Sequence, residues 1–119
     1  MSSLDAKLLD SYKDTNLLSF LYKNFSSSVP LRIKNIEKLA YNGSKEDLKR
    51  ELHSLKNTFG NIGSRDSAEF CQELEDQADA NLQVVAEKVL LLQAKYKEVI
   101  QDFELYLRRR KVDLESITG

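Results

Sequence analysis

The chain has 119 residues, of which 41% are apolar and 31% charged, with a formal net charge of −1 and a pI of about 5.9. This is enough for one hydrophobic core and one domain, 1–119, and the near-neutral balance excludes a global positive field that would hold it on nucleic acid or an acidic membrane. A single Cys71 excludes an internal disulfide, no apolar run approaches a bilayer-spanning length, and the N-terminus MSSLDAKLLD lacks a signal peptide's regions, so a cytoplasmic chain with protein partners is expected.

Four glycines and one proline leave little punctuation for turns, and no strand-like alternation competes, so the class is all-α. Leu4, Leu8 and Leu9 predict a short helix within 1–11, lying across the end of a bundle. From about Asn16 to Asn42, the set Leu18, Leu21, Phe25, Val29, Ile33, Ile36 and Ala40 marks a helix of about seven turns with one wet face. Pro30 interrupts it. Proline has no N–H for the Ser26 carbonyl and crowds it, so a kink or break is expected, with Ser26, Ser27 and Ser28 free to bond back to the helix. Asn42-Gly43-Ser44 is the first turn: Gly43 can take a positive φ and Ser44 can cap the next helix, with Asp47 three residues on.

That next helix, to about Asn61, holds the only histidine. Leu48, Leu52, Leu55, Phe59 and Ile62 stack into one apolar stripe, and a different set lies on the wet side. At 100° per residue, Lys56 falls about 60° behind His53, Asn57 about 40° ahead and Gly60 about 20° behind, so the four share one narrow strip. A neutral imidazole offers an unprotonated ring nitrogen as a nucleophile near neutral pH, an ammonium one turn along can offset phosphoryl charge, and a glycine lets another surface approach. A His-Lys pair at this spacing is also common on plain helical surfaces.

Gly63 follows the last apolar residue as a C-terminal cap. A further helix is predicted from Asp66 or Ser67 to about residue 80, with Phe70, Cys71, Leu74 and Ala78 facing in and Cys71 a small core residue instead of a reactive thiol. With no second Cys and no second His, no tetrahedral metal site is expected. If this helix runs antiparallel to the His53 helix, Glu75 returns level with the imidazole and can accept from Nδ1–H, leaving Nε2 as the nucleophile. The last helix, about Leu82 to Arg110, carries Leu82, Val85, Val89, Leu92, Tyr96, Val99, Phe103 and Tyr106 as a bundle seam. A homodimeric coiled coil is the rival use of that seam. The run Arg108-Arg109-Arg110-Lys111 complements a helix C-terminus, and 112–119 is expected to be a frayed tail. Together these give an antiparallel up-down four-helix bundle over 16–110 with an additional N-terminal helix.

The stretch His53-Ser54-Leu55-Lys56-Asn57, with Gly63 and then Cys71-Gln72-Glu73-Leu74-Glu75, resembles the signature of histidine-containing phosphotransfer (HPt) domains, roughly H-x-L-K-G, a helix-ending glycine, then C-x-x-L-E. His53, Leu55, Lys56, Gly63, Cys71, Leu74 and Glu75 fall in register; Asn57 departs, standing where the family has glycine. The resemblance covers nearly the whole chain and implies a bent but continuous helix through Pro30. It also implies a phosphoryl carrier: His53 the phosphorylated nucleophile, Lys56 its electrostatic partner, Glu75 a possible orienter, and Asn57 and Gly60 on the docking face. Partners would be response-regulator receiver domains and a hybrid sensor kinase, with Mg²⁺ in the receiver and no cofactor on this chain, which would act as a monomer. No Gly-rich phosphate loop or kinase signature is present, so ATP is not the expected donor. Two other readings stay open: a regulator that docks on receivers or kinases without carrying phosphate, and a helical assembly module.

Overall fold

A computed structural model describes residues 3–112, and within them every element is helical: α1 Ala6–Ser11, α2 Thr15–Asn42, α3 Lys45–Asn61, α4 Arg65–Ala80, α5 Leu82–Glu87 and α6 Val89–Arg109. Residues 1–2 of the predicted first helix, and 113–119 of the predicted tail, lie outside the described residues. The first helix, expected within 1–11, begins at Ala6, where the Asp5 carboxylate accepts from the Lys7 and Leu8 amides.

Helix α2 runs through Pro30 without a break. Ser27 and Ser28 donate back to the Lys23 and Asn24 carbonyls at 2.8 and 2.6 Å, and the Ser26 carbonyl, deprived of its Pro30 donor, receives the Tyr96 hydroxyl at 3.4 Å. A tertiary contact thus replaces the lost helical bond. Leu21, expected inside, is half-buried, and Tyr22 is buried in its place. On a helical wheel, with Leu18 and Val29 setting the inward direction, Tyr22 lies about 40° from Leu18 and Leu21 about 60° to the other side. The buried tyrosine donates its hydroxyl to Glu104 at 2.8 Å.

Gly43 ends α2 at φ −103°, so it does not use a positive φ. Its missing side chain matters for another reason, since a Cβ there would sit 2.6 Å from the Leu39 side chain and 2.7 Å from its Cα. Ser44 caps α3, accepting from the Asp47 amide at 3.4 Å. At the other end, Gly63 has φ +80°; its amide donates to the Gly60 carbonyl and the Ser64 amide to the Phe59 carbonyl, the paired bonds of a Schellman cap. Asp5 closes over this turn, donating its amide to the Gly63 carbonyl at 2.9 Å, and an added Cβ at 63 would meet Asp5 atoms at 3.0 Å. Gly63→Ala therefore combines left-handed strain of about 1–2 kcal/mol with displacement of the Asp5 strap. We expect a melting temperature lower by roughly 8 °C in calorimetry, at about 4 °C per kcal/mol.

Helix α4 begins at Arg65, slightly before the expected start, and its inward row is Ser67, Cys71, Leu74 and Ala78. Phe70 is not in that row: it is half-buried at the α4–α6 border, with the Lys95 ammonium 5.2 Å above its ring. The predicted last helix is divided at Lys88, whose amide donates to the Val85 carbonyl, three residues back, in a tightened turn. Val85 and Val89 are buried on either side, so the seam continues through the division, and no proline or glycine marks it. Toward the end Leu107 is fully buried, whereas Tyr106 is half-buried and donates to Asp10 at 2.7 Å.

Partner order fixes how the helices run. Between α3 and α4, Lys49 meets Asp79, His53 meets Glu75 and Lys56 meets Gln72, one index rising as the other falls. The same reversal relates α2 to α3, through Arg32 with Ser54 and Asn35 with Glu51, and α2 to α6, through Tyr22 with Glu104 and Ser26 with Tyr96. Every helix contributes to one core cluster. The seam residues Val89, Leu92, Val99 and Phe103 are covered by this chain's own helices.

Candidate functional site

Helix α3 presents two opposed faces with different chemistry. Leu48, Leu52, Leu55 and Phe59 are fully buried, which fixes the rotation of the helix and turns the next face outward. His53 lies on that outward face with its side chain 57% exposed. Asn57 and Gly60 are exposed beside it, and Lys56 is half-buried toward α4. Of the four strip residues, His53, Asn57 and Gly60 are thus exposed together, and Lys56 borders them on the α4 side.

Glu75 reaches the imidazole from α4. Its Oε2 stands 3.6 Å from His53 Nδ1, longer than a hydrogen bond, and the side chain is only 17% exposed. Among the described residues that oxygen is buried and accepts no hydrogen bond. A buried carboxylate oxygen aimed at one ring nitrogen favours the tautomer with a proton on Nδ1, and a closure of well under an ångström would make the bond. Nε2 is then the ring nitrogen that carries the lone pair.

Lys56 extends along α4 and donates from Nζ to the Gln72 amide oxygen at 2.6 Å, and Gln72 in turn donates from Nε2 to Asp76 at 3.0 Å. One turn before the histidine, Lys49 is held by both Asp79 carboxylate oxygens at 2.9 and 2.8 Å, a contact that raises the lysine's pKa and lowers the aspartate's. On the far flank, Arg32 of α2 donates to the Ser54 hydroxyl at 2.6 Å and to that of Thr58 at 3.3 Å. Sequence reasoning did not single out Gln72, Asp76, Asp79 or Arg32. The counting that set Glu75 level with His53 also sets Gln72 level with Lys56 and Asp79 level with Lys49, so that signal was available for the α4 partners.

Gly60 has open space where a Cβ would stand, with nothing within 4 Å. The fold does not need a glycine there. Cys71 is fully buried, and burial pushes its thiol up to about 12, against a smaller opposing pull from the Lys95 ammonium. It is therefore a protonated core residue at neutral pH.

The Hpt domain family model matches residues 21–108, well over half of the chain, spanning the His53 helix, α4 and α2 from Leu21 onward. The chain belongs to the Hpt domain family. Hpt domains serve histidine phosphotransfer in two-component systems and interact with the receiver domains of response regulators or hybrid kinases. No curated protein and no solved structure matches this Hpt chain. Among its described residues, no helix is long and apolar enough to cross a membrane, and no group of three or more His, Cys, Asp or Glu side chains could hold a metal ion.

Proposed function

We propose that this Hpt protein accepts a phosphoryl group on His53 Nε2 from the aspartyl phosphate of one receiver domain and passes it to the aspartate of another. The observation that carries this reading is the pairing of an exposed imidazole with the unpartnered carboxylate oxygen of Glu75 on its Nδ1 side. In the forward step the Nε2 lone pair attacks phosphorus, the N–P bond forms, and the P–O bond to the receiver's aspartate breaks with its electrons returning to that carboxylate. The second step reverses this with a new carboxylate as acceptor. Nδ1 keeps its proton throughout, which is why a group that holds the tautomer matters.

Lys56 is the electrostatic partner, since phosphoryl transfer depends mainly on positioning and charge balance. Asn57 and Gly60 form the docking face. The Mg²⁺ that such transfer requires is assigned to the acidic site of the receiver, and no cofactor to this chain. The opposed pairings between α2, α3, α4 and α6 support an antiparallel up-down four-helix bundle, and we read 1–119 as one domain acting as a cytoplasmic monomer. Asn57 favours one second reading, a regulator that docks on receivers or kinases without carrying phosphate, because its exposed amide stands where the family has glycine.

Incubation with a panel of pre-phosphorylated receivers tests the carrier. Acid-labile, alkali-stable label on this chain supports it; no label from any receiver, with binding intact, selects the docking regulator. The docking role of Gly60 has its own signature. Gly60→Ala is expected to stabilise the free protein by about 0.5–1 kcal/mol, because alanine is the better helix residue and nothing opposes its Cβ. The same variant should bind receivers more weakly, so denaturant melts and titration calorimetry should move in opposite directions.

A further inference from the structure

The two lysines on the α4 side of His53 are held by partners of different charge. Lys49, one turn before the histidine, lies against the carboxylate of Asp79, which also attracts Lys45 at 3.8 Å. Lys56, one turn after, rests on the amide oxygen of Gln72 at 2.6 Å, and among the described residues it has no ion-pair partner. A carboxylate cancels most of an ammonium's charge at contact distance. An amide oxygen orients the ammonium and leaves its charge in place.

The Gln72 amide is itself oriented. Its Nε2 donates to Asp76 Oδ1 at 3.0 Å, four residues further along α4. The flipped amide would set its NH₂ against the Lys56 ammonium and its carbonyl against the Asp76 carboxylate, two like-signed contacts, so Asp76 keeps the oxygen on the lysine side. The ammonium spends one of its three donors on Gln72 and keeps two for an incoming group.

From this chain we infer that Gln72 is a positioning residue for phosphoryl transfer at His53, holding Lys56 extended and fully charged beside the imidazole, with Asp76 fixing the amide's orientation. This role rests on the carrier reading above. Of the two α3 lysines that flank His53, the one that would face phosphoryl oxygens has the neutral partner, although α4 also offers an amide to Lys88 through Gln77 at 3.1 Å, away from the histidine; a glutamate at 72 would make a stronger ion pair with Lys56 and withdraw its charge from the reaction.

The test compares wild type, Gln72→Ala, Gln72→Glu, Lys56→Ala and the double variant Gln72→Ala/Lys56→Ala, using a pre-phosphorylated receiver that labels the wild type. Transfer should slow about tenfold in Gln72→Ala and at least as much in Gln72→Glu, while affinity for the unphosphorylated receiver stays within twofold. Adding Gln72→Ala to Lys56→Ala should change nothing further, because one residue acts through the other. The ¹⁵N relaxation of the Lys56 ammonium, which needs no phosphate, should show greater mobility in Gln72→Ala. A wild-type rate in Gln72→Ala, an equal slowing in the Lys56→Ala background, or an unchanged ammonium order would each overturn the role of Gln72 and leave the carrier reading intact. A folded wild-type chain that no receiver labels would overturn both.

Discussion

His53→Gln is expected to fold like the native protein and to carry no phosphoryl group. The side chain at 53 is exposed and belongs to no part of the apolar core, so its replacement disturbs no packing, and glutamine is as good a helix residue as histidine or better. A glutamine amide has no basic nitrogen lone pair, so nucleophilic attack on an aspartyl phosphate ends with this one change. Label from a competent receiver should fall to background, with circular dichroism and melting temperature unchanged. Receiver binding should survive, because Asn57 and Gly60 still form the adjoining surface. If label persists in the variant, His53 is not the acceptor. The acid lability and alkali stability expected of the wild-type label separate an N–P bond from an ester on Ser54 or Thr58, the neighbouring hydroxyls.

The placement of that histidine was legible because α3 is strongly amphipathic. Five apolar residues at alternating steps of four and three fix which way the helix turns, and the wet strip follows by arithmetic. The cap at Gly63 was legible for a similar reason, since a glycine directly after the last apolar residue has a specific backbone use. Glu75 was reachable by one further assumption, the antiparallel pairing of α3 and α4. The partner order of Lys49, His53 and Lys56 bears that assumption out.

The misplaced residues have different causes. With Leu18 and Val29 setting the inward direction, Tyr22 falls nearer the middle of the α2 stripe than Leu21, and its buried hydroxyl is satisfied by the Glu104 carboxylate on α6, distant in sequence. Phe70 is apolar at a plausible spacing, yet a row of Ser67, Cys71, Leu74 and Ala78 lets smaller side chains face the crowded centre while the ring takes the border under Lys95. The division at Lys88 leaves the buried pattern in phase, so nothing in the spacing of Val85 and Val89 registers it. Gly43 showed a different limit. A glycine in a turn suggested a positive φ, but the chain leaves α2 in an extended conformation and the residue is small because Leu39 lies against it.

Phe25→Ala should be the most destabilising single truncation in the core, and it should act on the site only through the fold. Phe25 is fully buried on α2, where its ring stands 5.6 Å from Phe59 of α3 and 5.3 and 6.4 Å from Tyr96 and Phe103 of α6. One side chain therefore joins the His53 helix to the two helices that frame the core. Removing a buried phenyl ring costs about 3–5 kcal/mol, set by how far the neighbours can collapse into the space. Three aromatic neighbours anchored on two other helices, α3 and α6, collapse poorly, which puts the loss toward the upper end, and the edge and stacked contacts are lost as well. A domain of this size has about 5–15 kcal/mol in total, so the variant would fold only marginally and melt roughly 20 °C lower. Phe25→Leu, which keeps most of the volume, should recover the larger part of that loss. If both substitutions melt alike, the energy lies in aromatic contact rather than in filled space. Below its melting point, Phe25→Ala should still accept label on His53, since no part of Phe25 reaches the α3 face that holds the imidazole.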